Sequence, residues 1–325
     1  MRSAQGIVVA GLQRSGTSWI GKMLEASGEA VYVNEPMNPK HPPGRSPGVF
    51  NADVDSRFQY ICADNEERFL PAFRDTLRLR YHFAAEVRRN HAAYDLARTA
   101  KYFSYFSAGR LRGRRALIRD PCSTFSARWL AQRLGCAVVI SVRHPLSFVG
   151  SWRRRGWKAS LHDLLDQPLL MRDLLGPYED DLRAMAGSGD EVAKAALLWR
   201  VTYDLMGDLD ARHPGLLHIK RYEDLASDPE AGFRELYAIC GLSWTERARK
   251  QIRWATTDHG KAEGGLYRWI LRGGVSRTAF RPMDSRSSLA TFRRWLSEQD
   301  IEKVREITDP VAARYYDAKD GVTPV

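Results

Sequence analysis

The residues best equipped for chemistry lie in one short stretch, GLQRSGTSWI at positions 11–20. Gly11 and Gly16 bracket Arg14, and two hydroxyl residues, Thr17 and Ser18, follow Gly16 directly. If a strand enters this turn and a helix leaves it, successive backbone N–H groups point at one spot. The helix dipole adds positive potential there, so an anion is favoured. Arg14 supplies a full charge, and Thr17 and Ser18 supply hydroxyl donors. The nucleotide-hydrolase pattern G-x-x-x-x-G-K-[ST] wants lysine at position 17 to reach terminal phosphates, and threonine stands there. That disfavours an ATPase. A plain strand-to-helix turn is the simpler alternative, but glycine, base and hydroxyl together favour an anion site.

A second constellation is SVRHPLSFVGSW at 141–152. Arg143 stands at the tip of an apolar run, and Ser151 follows eight residues on, past a proline and into a helical pattern. A guanidinium and a hydroxyl so placed can converge on a second anionic group. Alone the signal is weak, because a strand-end arginine is ordinarily solvated or ion-paired. Other motifs carry less. GRSPG (44–48) matches the nucleophile pattern G-x-S-x-G but lies in a proline-rich stretch without a preceding strand. WRRRGWK (152–158) mixes arginine and tryptophan as a nucleic-acid patch would, yet it directly follows the Arg143 element, and cofactor charge or an anionic acceptor explains it more simply. The aromatics at 102–106 read as packing rather than as a stacking platform.

These residues need a scaffold, and the apolar pattern supplies one. GIVVAG (6–11) has the composition of a buried parallel strand, and Trp19, Ile20, Met23 and Leu24 recur at helical spacing before Gly28. Further strands are expected within 30–36, 115–121, 136–145 and 215–225, with helical patterns between them. The fold class is therefore α/β: a P-loop-like parallel sheet flanked by helices, with inserted helical cap segments. In such sheets ligands collect at the carboxyl ends of the strands, where these polar tails would lie. The chain reads as one domain over 1–325, with a core sheet about 6–35 and 113–245. A cap insert is expected about 36–112, and a C-terminal loop and helices about 258–318. Within that last part, 258–290 reads as a mobile loop, and Ser297 is expected to cap a helix with Glu298 in its first turn.

Bulk properties narrow the partners. Hydrophobic residues make up 44% and charged ones 27%, a globular balance. The net charge is +11, and roughly forty of the fifty basic residues are arginine, the side chain suited to bidentate capture of phosphate or sulfate oxygens. No segment reaches the roughly 18 apolar residues of a membrane span, and no signal peptide is legible near Arg2. Cys62, Cys122, Cys136 and Cys240 show no metal-ligand spacing, and the histidines form no cluster. Reduced, mostly buried thiols, a cytoplasmic location and no metal are the resulting expectations.

Taken together, the motifs resemble the sulfotransferases that use 3′-phosphoadenosine 5′-phosphosulfate (PAPS). LQRSGTSW is similar to that family's loop for the 5′-phosphosulfate, and VRHPLSFVGS to its 3′-phosphate element, with Arg143 and Ser151 eight apart. LIRDP (117–121) resembles the strand preceding that element, and RYEDLASDP (221–229) the segment whose tyrosine contacts adenine, here Tyr222. The loop arginine and the NEP at 34–36 look like the carbohydrate-type branch, since Arg119 and Pro121 stand where the phenol and steroid branch has lysine and a catalytic histidine.

The resemblance implies a sulfotransferase that moves a sulfuryl group from PAPS to a hydroxyl of a carbohydrate, a glycosylated metabolite or another small molecule. The product would be adenosine 3′,5′-bisphosphate, without a metal. It implies cofactor contacts from Arg14, Ser15, Gly16, Thr17, Ser18, Trp19, Arg143, Ser151, Tyr222 and, in a covering loop, Arg286, with Arg277 as alternative and Ser288 beside Arg286. Arg14 is also implied in catalysis. Glu35 is the expected base and Asp120 the fallback. No nucleic-acid partner is expected. The rival classes are a nucleotide kinase or ATPase on the same fold, and a basic nucleic-acid-binding protein.

Overall fold

The computed structural model describes residues 5–41, 46–256 and 291–317. Its centre is a five-stranded, wholly parallel sheet: β1 Ile7–Ala10, β2 Ala30–Asn34, β3 Arg115–Arg119, β4 Ala137–Val142 and β5 His218–Arg221. The strand order is β2-β3-β1-β4-β5. In register, Val9 lies opposite Arg119 on one side and Val139 on the other. The chain leaves β1 toward one edge and later crosses to the other, so the end of β1 is the point where strand order reverses. The crevice at that point is the expected ligand position in open α/β sheets.

The central strands β1 and β4 are near-continuous apolar runs rich in β-branched residues because both of their faces are covered. Val8, Ala10, Ile118, Val138 and Ile140 feed one core, while Ile7, Val9, Leu117 and Val139 feed the other. The second face is covered by α1 Thr17–Glu25, α12 Pro229–Ile239 and α13 Glu246–Thr256. The first face carries α5 Ala127–Leu134, α6 Pro145–Arg154 and the long α10 Glu191–Arg212. Between α6 and α10 lie the short turns α7 His162–Leu165 and α8 Pro168–Leu170, and then α9 Glu179–Ala186.

The insert between β2 and β3 is helical as expected: α2 Glu66–Leu77, α3 Phe83–Arg89 and α4 Ala93–Leu111. Its aromatics Phe50, Phe69, Phe73 and Phe106 belong to the same apolar cluster as the strand residues Val8 and Ile118. Of the 102–106 aromatics, Phe106 is fully buried and the Tyr105 hydroxyl donates to Glu25 Oε1 (2.5 Å), whereas Phe103 stays largely exposed.

One boundary differs from the sequence expectation. The apolar run 215–225 is a strand only over His218–Arg221, and Tyr222 opens the helix α11 Tyr222–Ser227. Tyr222, Leu225 and Ala226 are buried at helical spacing, with Glu223 and Asp224 in the first turn. After 291 the C-terminal helix, α14 Glu298–Ala312, begins with Ser297 as cap in a reciprocal box with Asp300. It packs on α10 and α6, and Tyr315 donates to the Tyr203 carbonyl (2.6 Å).

Candidate active site

The loop between β1 and α1 is held by its carbonyls. Trp152 Nε1 donates to Gln13 O (2.9 Å), Arg143 Nη1 to Arg14 O (3.0 Å), and Ser141 Oγ to Ser15 O. Ser15 N closes a turn onto Leu12 O (3.1 Å). With the three successive carbonyls of Gln13, Arg14 and Ser15 drawn toward the scaffold, the N–H groups at the turn into α1, Gly16 to Ser18, are left to face the opposite side, the geometry of an anion nest. Gly16 is the N-cap of α1 in a left-handed conformation (φ 93°), no side chain caps the helix, and its first turn holds no acid. A Cβ at Gly16 would stand 2.4 Å from the Tyr222 ring, so only glycine fits between loop and α11.

Tyr203 on α10 supports the loop from the core. Its hydroxyl donates to Ser141 O (2.8 Å), accepts from Leu12 N (3.2 Å), and is bonded to Ser15 Oγ (2.9 Å). Thr124 Oγ1 accepts from Gly11 N (3.0 Å). None of these supports was singled out by the sequence motifs.

The charge at this loop is concentrated. Arg14 Nε donates to Ser151 Oγ (3.0 Å), which ties the loop to α6, and Arg14 has no ion pair among the described residues. Burial lowers its pKa to about 10, and the neighbouring charges of Arg155, Arg143, Arg154 and Arg119 push the same way. The Arg143 guanidinium lies 4.7 Å from the centroid of the Tyr222 ring, a cation–π contact. Arg14, Ser15, Gly16, Thr17, Arg143, Ser151 and Tyr222 are thus gathered at one end of the sheet, with Ser18 half-buried in the first turn of α1. Trp19 is placed differently: its ring packs edge-on against Tyr222 and Phe233 in the core. Arg286, Arg277 and Ser288 lie outside the described residues.

The two carboxyl candidates sit in contrasting surroundings. Glu35 follows β2 and receives Arg119 Nη1 on Oε1 and Asn38 Nδ2 on Oε2 (2.7 Å). Burial would raise its pKa, but Arg119, the Asn38 hydrogen bond and His41 together hold it below the ordinary carboxylate value. Arg119 also donates from Nε to Thr17 Oγ1 (3.2 Å), so one guanidinium spans Glu35 and the anion loop. Asp120 is fully buried, which pushes its pKa up to about 7 against the pull of its backbone donors. Both of its oxygens are engaged, Oδ2 by Met37 N (2.7 Å) and Oδ1 by Cys122 N (2.8 Å). Asp120 has the basicity of a general base without the access; Glu35 has the access, its side chain being 20% exposed.

Backbone strain marks the same places. The non-glycine residues with positive φ among the described residues are Arg14 (80°), Glu35 (48°) and Leu79 (53°). Such conformations cost about 1–3 kcal/mol each and persist where surrounding structure imposes them. Among the described residues no group of three or more His, Cys, Asp or Glu could hold a metal ion, and no helix is long and apolar enough to cross a membrane.

A parallel sheet with a cationic, uncapped loop at its switch point is an α/β frame that offers donors and positive charge to an anion. The chain belongs to the sulfotransferase family, whose model matches residues 6–246. Sulfuryl transfer is therefore its class of reaction. No curated protein matches the chain. Among solved structures it is similar to the sulfotransferase domain from the curacin biosynthetic pathway, at 14% identity over 93% of this chain and 96% of that one, with a TM-score of 0.46. A sulfotransferase domain from the Synechococcus PCC 7002 olefin synthase shows 15% identity over 98% and 97%, with a TM-score of 0.41. Sulfotransferase STF9 from Mycobacterium avium shows 13% identity over 97% of this chain and 76% of that one, with a TM-score of 0.42.

Proposed function

We propose that this chain transfers the sulfuryl group of PAPS to a hydroxyl of a carbohydrate, a glycosylated metabolite or another small molecule, in the manner of the carbohydrate-type branch. The observation that carries the donor assignment is Arg14. It is a largely buried guanidinium with no ion pair among the described residues, set in the repulsive field of four further arginines. Such a cluster suits a ligand with several anionic groups.

Arg14, the N–H groups of Gly16 to Ser18, and the Thr17 hydroxyl would hold the 5′-phosphosulfate. Arg143 and Ser151 would hold the 3′-phosphate. Arg14 bonds Ser151 and Arg143 bonds the Arg14 carbonyl, so the two anion sets are mechanically joined. Tyr222 would form the wall beside the nucleoside.

Sulfuryl transfer resembles phosphoryl transfer: a loose in-line displacement in which positioning and electrostatics supply most of the acceleration. The acceptor oxygen bonds to sulfur as the bond to the bridging phosphate oxygen breaks. Adenosine 3′,5′-bisphosphate leaves with that electron pair, and the hydroxyl proton passes to Glu35. Donors on the leaving oxygen, from Arg14 and the start of α1, stabilise its developing charge. The Glu35–Arg119–Thr17 chain gives the base its timing. While Arg119 is devoted to Glu35 the carboxylate is weakly basic; sharing that guanidinium with an anion at Thr17 raises its basicity.

The test is a screen of hydroxylated acceptors with 35S-labelled PAPS, following label transfer and formation of adenosine 3′,5′-bisphosphate. Label on a carbohydrate or glycosylated acceptor is the expected result. Transfer confined to amines, or phosphoryl transfer from ATP in place of sulfuryl transfer, would overturn the assignment.

A further inference from the structure

Beside the loop four elements meet. Trp152 of α6 donates its indole N–H to Gln13 O, and Gln13 Nε2 lies 3.8 Å from Cys122 Sγ at the end of β3. The fourth element is the irregular segment preceding α2, and its turn at 57–58 brings Arg57, whose guanidinium carbon stands 5.9 Å from the centroid of the Trp152 ring. The charge of Arg57 is felt at Cys122, on the floor of the same corner.

Two polar groups here lack partners. Arg57 is half-buried and makes no hydrogen bond or ion pair among the described residues. The acid nearest in sequence, Asp55, is bound by Arg68 Nη1 at 2.5 Å. Asp163 lies within electrostatic reach of Arg57 and Lys40 but pairs with neither, and burial lifts its carboxyl above the ordinary range. The second group is Gln13 Oε1, completely enclosed on a residue 7% exposed, with no hydrogen-bond partner. A buried amide oxygen without a donor costs free energy, a loss that is offset when a ligand supplies the donor, and a half-buried guanidinium without a carboxylate has its fork open to an oxyanion.

We propose that Arg57 and Gln13 form an acceptor subsite for a sugar or small molecule that carries an oxyanion, a carboxylate or a sulfate, close to the hydroxyl that is modified. The inference rests on the sulfuryl-transfer reading and narrows its acceptor class. The planar guanidinium takes the oxyanion in a bidentate fork, and Trp152 backs it. Gln13 Oε1 accepts from a ligand hydroxyl. Because Gln13 belongs to the anion loop, a ligand held by this pair lies directly beside the 5′ end of the donor. Arg154 and Arg155 act on Arg14, and Lys40 acts with Arg57 on Asp163, a positive field that suits an anionic acceptor and repels a cationic one.

The test follows covalent modification of arginine by p-hydroxyphenylglyoxal, read residue by residue by mass spectrometry on the full chain saturated with adenosine 3′,5′-bisphosphate. Methyl β-D-glucuronide, glucose 6-sulfate and, as neutral control, methyl β-D-glucoside are added in turn. Protection of Arg57 by at least threefold with the glucuronide or the sulfate, and none with the glucoside, is the expected result; which of the two protects identifies the oxyanion. Equal protection by all three, or by none, overturns the subsite. The bisphosphate's own protection of Arg14 and Arg143 is read in the same spectra, so failure of the donor assignment shows separately. Arg57→Gln is then expected to lose at least tenfold in kcat/KM for anionic acceptors with its bisphosphate affinity unchanged, whereas loss of that affinity would mark Arg57 as part of the donor site.

Discussion

At the residue scale, the decisive comparison is between two carboxyls a few ångströms of backbone apart. Asp120 carries the pKa that suits a base, about 7, yet it is sealed and doubly bonded by backbone N–H groups, so it positions the turn that presents Glu35. Glu35 reaches the opening but shares Arg119. Glu35→Gln should therefore lower turnover by on the order of 10²-fold or more. Affinity for adenosine 3′,5′-bisphosphate should change by less than about threefold, and weakening the hydrogen bonding of the buried Arg119 should cost about 1–3 kcal/mol of stability. Steady-state kinetics, calorimetry and urea unfolding read the three effects. Undiminished turnover would remove Glu35 from the proton path.

Asp120 makes a separate prediction about pH. Its folded pKa stands above the ordinary value of 3.8, so folding takes up a proton between about pH 4 and 7. That contribution is fully present below the unfolded pKa and is lost as pH rises through the folded one. Asp120→Asn keeps one acceptor of the two, so it should be less stable than the wild type at pH 4.5. The gap should narrow by about 1 kcal/mol or more at pH 7.5, measured by urea midpoints. A gap that widens with pH would contradict the raised pKa.

At the scale of elements, the loop is shaped less by its own sequence than by what grips it. Tyr203 is the clearest case, since one hydroxyl serves Leu12, Ser15 and Ser141. Tyr203→Phe leaves the ring in place and strands those groups, which should cost about 1–3 kcal/mol in stability and several-fold in bisphosphate affinity. Unchanged affinity would show that the loop holds its shape without the clamp. These supports also mark the limit of what the sequence discloses. The loop, its strand and its helix are legible because glycine, hydroxyl and apolar spacing are local signals. Arg143 and Ser151 are legible because proline and helical periodicity bring them to one strand end. Tyr203, Arg57 and the partner of Glu35 are not, because each acts across a pairing between distant segments that no local pattern encodes. Tyr222 shows the intermediate case: its position was legible, but the run around it mixes strand and helix signals, and tertiary packing assigned it to the helix.

At the scale of the molecule, two cores on opposite faces of one parallel sheet fix the strand ends in a single plane. The excess of arginine is spent unevenly across this frame. Many arginines pair with surface acids, as Arg133 does with Glu66 and Arg172 with Asp64, whereas Arg14 has no ion pair among the described residues. That distribution is what separates the proposed bisphosphonucleotide site from general surface charge. The most direct measurement is calorimetric binding of adenosine 3′,5′-bisphosphate and of ATP–Mg²⁺ to the wild type and to Arg143→Ala. The account predicts that the bisphosphate binds the wild type at least tenfold more tightly than ATP–Mg²⁺, and that Arg143→Ala loses at least about tenfold of that affinity, some 1.4 kcal/mol. Tighter binding of ATP–Mg²⁺, or full bisphosphate affinity in the variant, would contradict it.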